Sequence, residues 1–288
     1  MDLPMSSAGS AIVPAAPDLA LIDVWDVATY DADLMARLES HGGMIADYMT
    51  TNRHQWLERE RSDHTRPYPE NPHAGDYLRF VDELHLHIGS RTIRAWHYTR
   101  QTDAEVTRLV AEGIHLSDLV AIRRRLDAQV AAGVFSTQVA DALFGASPFQ
   151  SEQRASRSGK FWMTSHPIDI DDGGVNLLLE NWGGEGAYFW LRDEALERLV
   201  ASIGRPRVIE VAAPLAATRH QHSAAEAMVA AYGRSRGLRW ETKMFDLYVT
   251  QPLPPQAVLA VHSRGEPAFA AIGASYPERF IPLTSDRY

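Results

Sequence analysis

The run Thr92-Ile93-Arg94-Ala95-Trp96-His97-Tyr98-Thr99 is dense in β-branched and aromatic residues, and Thr102-Asp103-Ala104-Glu105 follows it almost at once. The first segment reads as a strand whose period of two places Ile93, Ala95, His97 and Thr99 on one face. The second is a capping box, a Thr followed three residues later by a Glu, and it opens a helix. Val106, Leu109 and Val110 supply that helix with an apolar stripe, and Gly113 stands where a terminating glycine belongs. A strand that turns tightly into a capped helix commits this part of the chain to a mixed α+β fold.

The flanks differ in texture. Residues 1–18 are small and Pro-rich and read as a flexible lead-in. Residues 19–90 form an N-terminal helical region. Leu34, Met35 and Leu38 share one face, Gly42-Gly43 marks a break, and Ile45, Tyr48, Met49, Trp56 and Leu57 mark a longer helix. Prolines 67, 69 and 72 then forbid regular helix, which resumes from Tyr77 to Leu84. Beyond the capped helix, residues 117–145 read as a helical pair broken at Gly133, and Arg123-Arg124-Arg125 on its first member reads as a solvated face. Strands are expected at Phe161–Thr164, Ala187–Leu191, Val208–Val211, Met244–Thr250 and Val258–His262. Helices are expected at Val175–Glu180, after Asp193, and after Ser223-Ala224-Ala225-Glu226, a second capping box. Residues 91–265 are taken as one domain and 266–288 as a C-terminal tail.

Composition removes several classes of function. The 288 residues include no cysteine, which excludes disulfide scaffolds, thiolate metal sites and Cys nucleophiles. A formal net charge of −9 gives no bulk attraction to nucleic acid. No apolar run approaches the roughly 20 residues that span a bilayer, and the first residues lack the basic cluster of a secretory signal. A cytoplasmic protein without membrane contact is the expectation. Neither a Gly-x-Ser-x-Gly elbow nor a Gly-x-Gly-x-x-Gly fingerprint is present.

Three segments carry chemistry. Trp96-His97-Tyr98-Thr99-Arg100 ends a strand before the capped helix. Gly183-Gly184-Glu185-Gly186-Ala187-Tyr188-Phe189 is a glycine-rich entry into an aromatic segment. Phe245-Asp246-Leu247-Tyr248-Val249 sends Phe245, Leu247 and Val249 to one face, so Asp246 and Tyr248 point the other way. A carboxylate in such a strand must face a cleft or be held by donors, because burying it unpaired is costly.

In this order the three segments resemble the mono-ADP-ribosyltransferases of the diphtheria-toxin and poly(ADP-ribose)-polymerase type, over roughly residues 91–262. The family carries a His ending its first strand, a Tyr in a Gly-x-Gly-Ile-Tyr-Phe strand, and an acidic residue opening a late strand. The matching positions here are His97, Tyr188 and Asp246. The resemblance implies a split antiparallel β-sheet core, interrupted by the helical pair, and transfer of ADP-ribose from NAD to an acceptor. It implies Asp246 near the ribose cation, Tyr188 stacked on nicotinamide, and His97 with Thr99 on the adenosine ribose. Tyr98, Arg100 and Gly186 would complete the NAD contacts, with Arg100 toward the pyrophosphate and Arg94 as a second choice. Tyr98 stands where the family has Gly, so its side chain must point away from the ring. Asp246 stands where many members have Glu. The acceptor is a protein, a nucleic acid or a small molecule, and use as a toxin or effector accompanies the resemblance. Glu185 is a candidate for activating the acceptor.

Other readings stay open. Plain NAD hydrolysis would use the same site, and a binding module for NAD or ADP-ribose would keep the fold without turnover. A metal-dependent hydrolase would draw on His85-x-His87 and His220-x-His222, with Asp82, Glu83 and Glu226 near them in sequence.

Overall fold

The computed structural model describes residues 21–61, 69–241 and 243–274. The lead-in at 1–18, the start of the Pro-rich loop and the last 14 residues of the expected tail (275–288) lie outside the described residues.

The chain opens on a short strand, β1 (Leu21–Ile22), which pairs in parallel with the start of β2 (Thr92–Gln101). The sequence reading has only helix here. Between them run α1 (Ala32–Ser40), α2 (Gly42–Arg61) and α3 (Ala74–His87). Asp31 caps α1 through the Leu34 amide and also takes the Arg91 guanidinium at 2.7 Å, tying the helical region to the root of β2.

The capping box then opens α4 (Asp103–Glu112) as expected, and Gly113, at φ 86°, ends it. A Cβ at that position would run into the Leu253 carbonyl, so only glycine lets the two loops meet. The helical pair is α5 (Leu119–Ala131) and α6 (Thr137–Gly145). A one-turn α7 (Arg154–Arg157) leads into β3 (Phe161–Thr164), followed by α8 (Gly173–Glu180), a short α9 (Glu185–Tyr188) and α10 (Glu194–Ser202). The remaining elements are β4 (Arg205–Pro214), α11 (Gln221–Ser235), β5 (Asp246–Val249), β6 (Val258–Ser263) and α12 (Pro267–Ala270).

The sheet runs β5-β3-β2-β4-β6, antiparallel throughout this path. Its two halves hold together unequally. β2 and β4 pair along their full length, from Thr92↔Pro214 to Gln101↔Arg205, whereas β2 and β3 share one paired position, Trp96↔Thr164. The sheet therefore splits between β2 and β3.

Each face has its own cover. Ile93, Ala95, Ile209, Val211, Leu247 and Val249 pack with α1–α3 and α11 in the principal core. Helix α11 is buried on nearly every side, from Ala224 to Gly233, and so lacks a polar stripe. On the other face Trp96, Tyr98 and Val208 meet α8 through Val175 and Leu179, and also Phe269 and Ile272. The expected tail thus contributes core residues past 265. A third cluster joins α5 and α6 to α10 and Trp182.

Two further expectations are corrected. Ala187–Leu191 is not a strand: Gly183 and Gly184, at φ 87° and 57°, turn the chain into α9, and Leu191 drops into the third cluster. Beside it β2 offers a bridge from Arg100 to Trp182, so aromatic propensity has no ladder to join there. Ser223 does not cap α11 either. The helix begins at Gln221, whose amide donates to the Leu215 and Thr218 carbonyls, and Ser223 lies inside the first turn.

Candidate functional site

His97 sits at the split. Its Nδ1 donates to the Trp162 carbonyl at 2.8 Å, and its ring lies 4.3 Å from that of Phe161. The side chain thus makes a bond that a regular β2–β3 ladder would give to the backbone. Desolvation, followed by the charge of Arg125, pushes its pKa down to about 4 against the opposing hydrogen bond, so the imidazole is neutral with its proton on Nδ1. Strand alternation groups His97 with Ile93 and Ala95, toward the principal core.

Asp246 leaves the sheet on the opposite side. The register pairs it with Thr164 and pairs Tyr248 with Trp162, which sets these four on the face shared with Trp96. Burial raises the Asp246 pKa, partly countered by His220. The Trp162 and Tyr248 rings stand 4.6 Å apart at 59°, and Trp162 remains 41% exposed. Lys160 holds its ammonium 4.6 Å from the Tyr248 centroid and 5.6 Å from that of Trp162. His220 meets Tyr248 edge-on at 4.8 Å, and its Nε2 is buried without a hydrogen-bond partner.

Tyr188 belongs elsewhere. It ends α9, and its ring packs against the third cluster with Leu126, Leu143 and Leu191. Desolvation, then Glu185, raises its pKa. Gly186 lies inside the same short helix against Phe149 and Ile122. The three residues matched by motif are therefore not gathered in one hollow. Asp246 instead shares its sheet face with Trp162 and Tyr248, and His220 lies near enough to act on its charge. The register of β3 against β5 sets Trp162 and Tyr248 on that face, a placement their sequence separation hid. The Gly159-Lys160-Phe161-Trp162 segment, another glycine-led aromatic strand, was the available signal.

The remaining candidates have structural partners. Tyr98 points away from the His97 side, and its hydroxyl donates to the Ile168 carbonyl at 2.7 Å while accepting from the Ile168 amide at 2.6 Å. Thr99 is buried. Arg100 donates to the Ile203 carbonyl at 2.7 Å, and Arg94 pairs with Glu210 at 3.3 Å. Glu185 pairs with Arg157 at 2.8 Å. Within the Arg run, Arg123 bridges Asp127 and Asp141, but Arg125 turns inward onto Glu105 and the Trp182 ring.

The two His-x-His motifs meet on α3 and α11, where the His85 and His222 rings approach to 5.9 Å and His222 reaches Asp82 at 3.5 Å. Among the described residues, no three His, Asp or Glu side chains are grouped as metal ligands. No helix among the described residues is long and apolar enough to cross a membrane.

The class defined by these features is an α+β protein with a split antiparallel sheet and a carboxylate beside an aromatic corner on one half. Known families, curated proteins and solved structures offer no match to the chain.

Proposed function

We propose that the protein cleaves the nicotinamide–ribose bond of NAD and transfers ADP-ribose, with Asp246 as the catalytic carboxylate. The observation that carries this reading is the Asp246 carboxylate on the same face as the open Trp162–Tyr248 corner, on the half-sheet that parts from the His97 strand. The order of elements, a His strand and capped helix followed by an aromatic strand and a late acidic strand, also fits a split-sheet ADP-ribosyltransferase.

The chemistry asks for these groups. The bond from ribose C1′ to the ring nitrogen breaks with its electron pair going to nicotinamide, which leaves neutral. The positive charge passes to the sugar, as in glycoside cleavage. A carboxylate held beside that charge stabilises it more than it stabilises the ground state. The aromatic corner orients the departing ring, a role that the resemblance implied for Tyr188 and that Trp162 takes here. The oxygen or nitrogen of an acceptor O–H or N–H then bonds to C1′, and its proton passes to Asp246 or to water. Asp246 is open to solvent, so water as the acceptor, giving NAD hydrolysis, uses the same site.

The test is nicotinamide release from NAD in the presence of EDTA. The wild-type chain is expected to release it, and Asp246→Asn to do so about 100- to 1,000-fold more slowly without loss of thermal stability. Unchanged release in the variant removes Asp246 from the mechanism. Activity abolished by the chelator supports the metal hydrolase built on the His-x-His motifs.

A further inference from the structure

We propose that the hollow between α2 and the turn that closes α11 binds a small organic phosphomonoester, held by Arg53 and Arg239. The site lies apart from Asp246. His220, at the start of α11, meets Tyr248 on the Asp246 side, whereas the hollow lies at the other end of that helix, 15 residues and about 22 Å away.

Backbone bonds build the turn. Gly237, at φ 83°, donates its amide to the Arg234 carbonyl, and the Leu238 amide donates to that of Gly233. This double closure folds Leu238 back onto the helix it leaves. At Gly233 the same helix meets α2, since a Cβ there would strike the Met49 sulfur and touch Leu238. Met49 and Leu238 therefore lie together and give the hollow an apolar floor. Arg53, one turn beyond Met49 on α2, and Thr50 contribute one wall, and Arg239 contributes the other. The space they line is about 330 Å³, at the small end of the range for organic ligands.

Charge selects the ligand. The chain carries a net −9, yet Arg234, Arg236 and Arg239 fall within six residues. Arg236 is answered by Glu39 at 2.8 Å, and Arg234 donates to the Trp240 carbonyl at 2.9 Å. Arg53 and Arg239 share the hollow, and among the described residues no carboxylate lines it. Both also hold other partners, but a guanidinium has several N–H donors and can serve a ligand at the same time. Guanidiniums from two walls, with a hydroxyl between them, suit a tetrahedral dianion better than a flat carboxylate, which presents only one edge. Bare phosphate would leave Met49 and Leu238 in water, so an organic body on the ester oxygen completes the fit.

Calorimetric titration of the full chain at low salt with phenyl phosphate, inorganic phosphate and benzyl alcohol tests this. Phenyl phosphate is expected to bind at one site, inorganic phosphate roughly tenfold more weakly, and benzyl alcohol not measurably. Arg53→Gln and Arg239→Gln should each weaken phenyl phosphate roughly tenfold. Arg236→Gln, whose side chain is turned to Glu39, should change it by less than about twofold. Amide shift mapping on the wild-type chain needs no variant to fold, and the changes should fall on residues 49–53 and 237–239. Absence of saturable binding overturns the proposal, as do shifts centred elsewhere or an equal loss in Arg236→Gln. Equal affinity for the two phosphates overturns the organic ester. An oligothymidylate that binds these residues where phenyl phosphate does not overturns the small-molecule site in favour of a nucleic-acid surface.

Discussion

Asp246 illustrates how much a single residue reveals before its neighbours are known. Its place in an alternating strand required a side chain pointing away from Leu247 and Val249, and the structure buries those two while leaving Asp246 open. Its electrostatic setting was not readable, because His220 comes from another segment. Partial desolvation by the flanking residues raises its pKa, with His220 opposing. A carboxylate that must be ionised to stabilise a cation, and whose pKa is raised, loses its charge at a higher pH than a free Asp. The acid limb of a kcat/KM profile for nicotinamide release is therefore expected above the usual Asp range of about 4. It should also move toward lower pH as added positive charge is brought near the carboxylate. A limb at or below pH 4 contradicts the desolvation argument. Tyr188 is the opposite case. Its local motif was persuasive, yet its surroundings are those of a packing residue.

At the scale of elements, local rules succeeded where the interactions are local. The capping box at Thr102 and Glu105 forms with both reciprocal bonds, since its groups lie within one turn. What the sequence could not show is that Glu105 has further partners. Its carboxylate also takes the Arg125 guanidinium from α5 and the Trp182 indole N–H at 2.9 Å, with Arg125 lying 4.6 Å over the Trp182 ring. One side chain thus ends the β2–α4 turn and pins the helical pair to it. Glu105→Gln keeps the size and one acceptor but leaves Arg125 without its counter-charge. It is expected to cost about 2–3 kcal/mol, measured by denaturant unfolding, and to loosen hydrogen-exchange protection in α5 before that in β2. Although burial alone raises its pKa, Arg125 and the other donors hold it below the ordinary Glu value. The stability it contributes is present above the unfolded-state pKa and fades as pH falls through the lower folded value.

For the whole molecule, acid sensitivity reflects histidines enclosed in the neutral state. His97 and His166 both have pKa values pushed down to about 4, chiefly by desolvation, and the His166 Nδ1 is buried without a partner. The unfolded chain binds these protons near pH 6.5, so stability falls as pH drops below that value toward the folded values. Thermal unfolding is expected on the order of 5 °C lower at pH 5 than at pH 7, and a combined His97→Gln and His166→Gln variant should flatten that difference. A melting temperature independent of pH over this window contradicts the enclosure of the two rings. By itself the sequence determined the α+β class, most helices, the Thr92 strand and the alternation that turns Asp246 outward, because propensity, capping and periodicity act within a few residues. Only the tertiary structure decided that the sheet parts after Trp96, that 187–191 turns as helix, and that Trp162 and Tyr248 share the face of Asp246 with His220 close to the carboxylate. Those outcomes depend on strand order and register, and they are set by which buried faces close the core together.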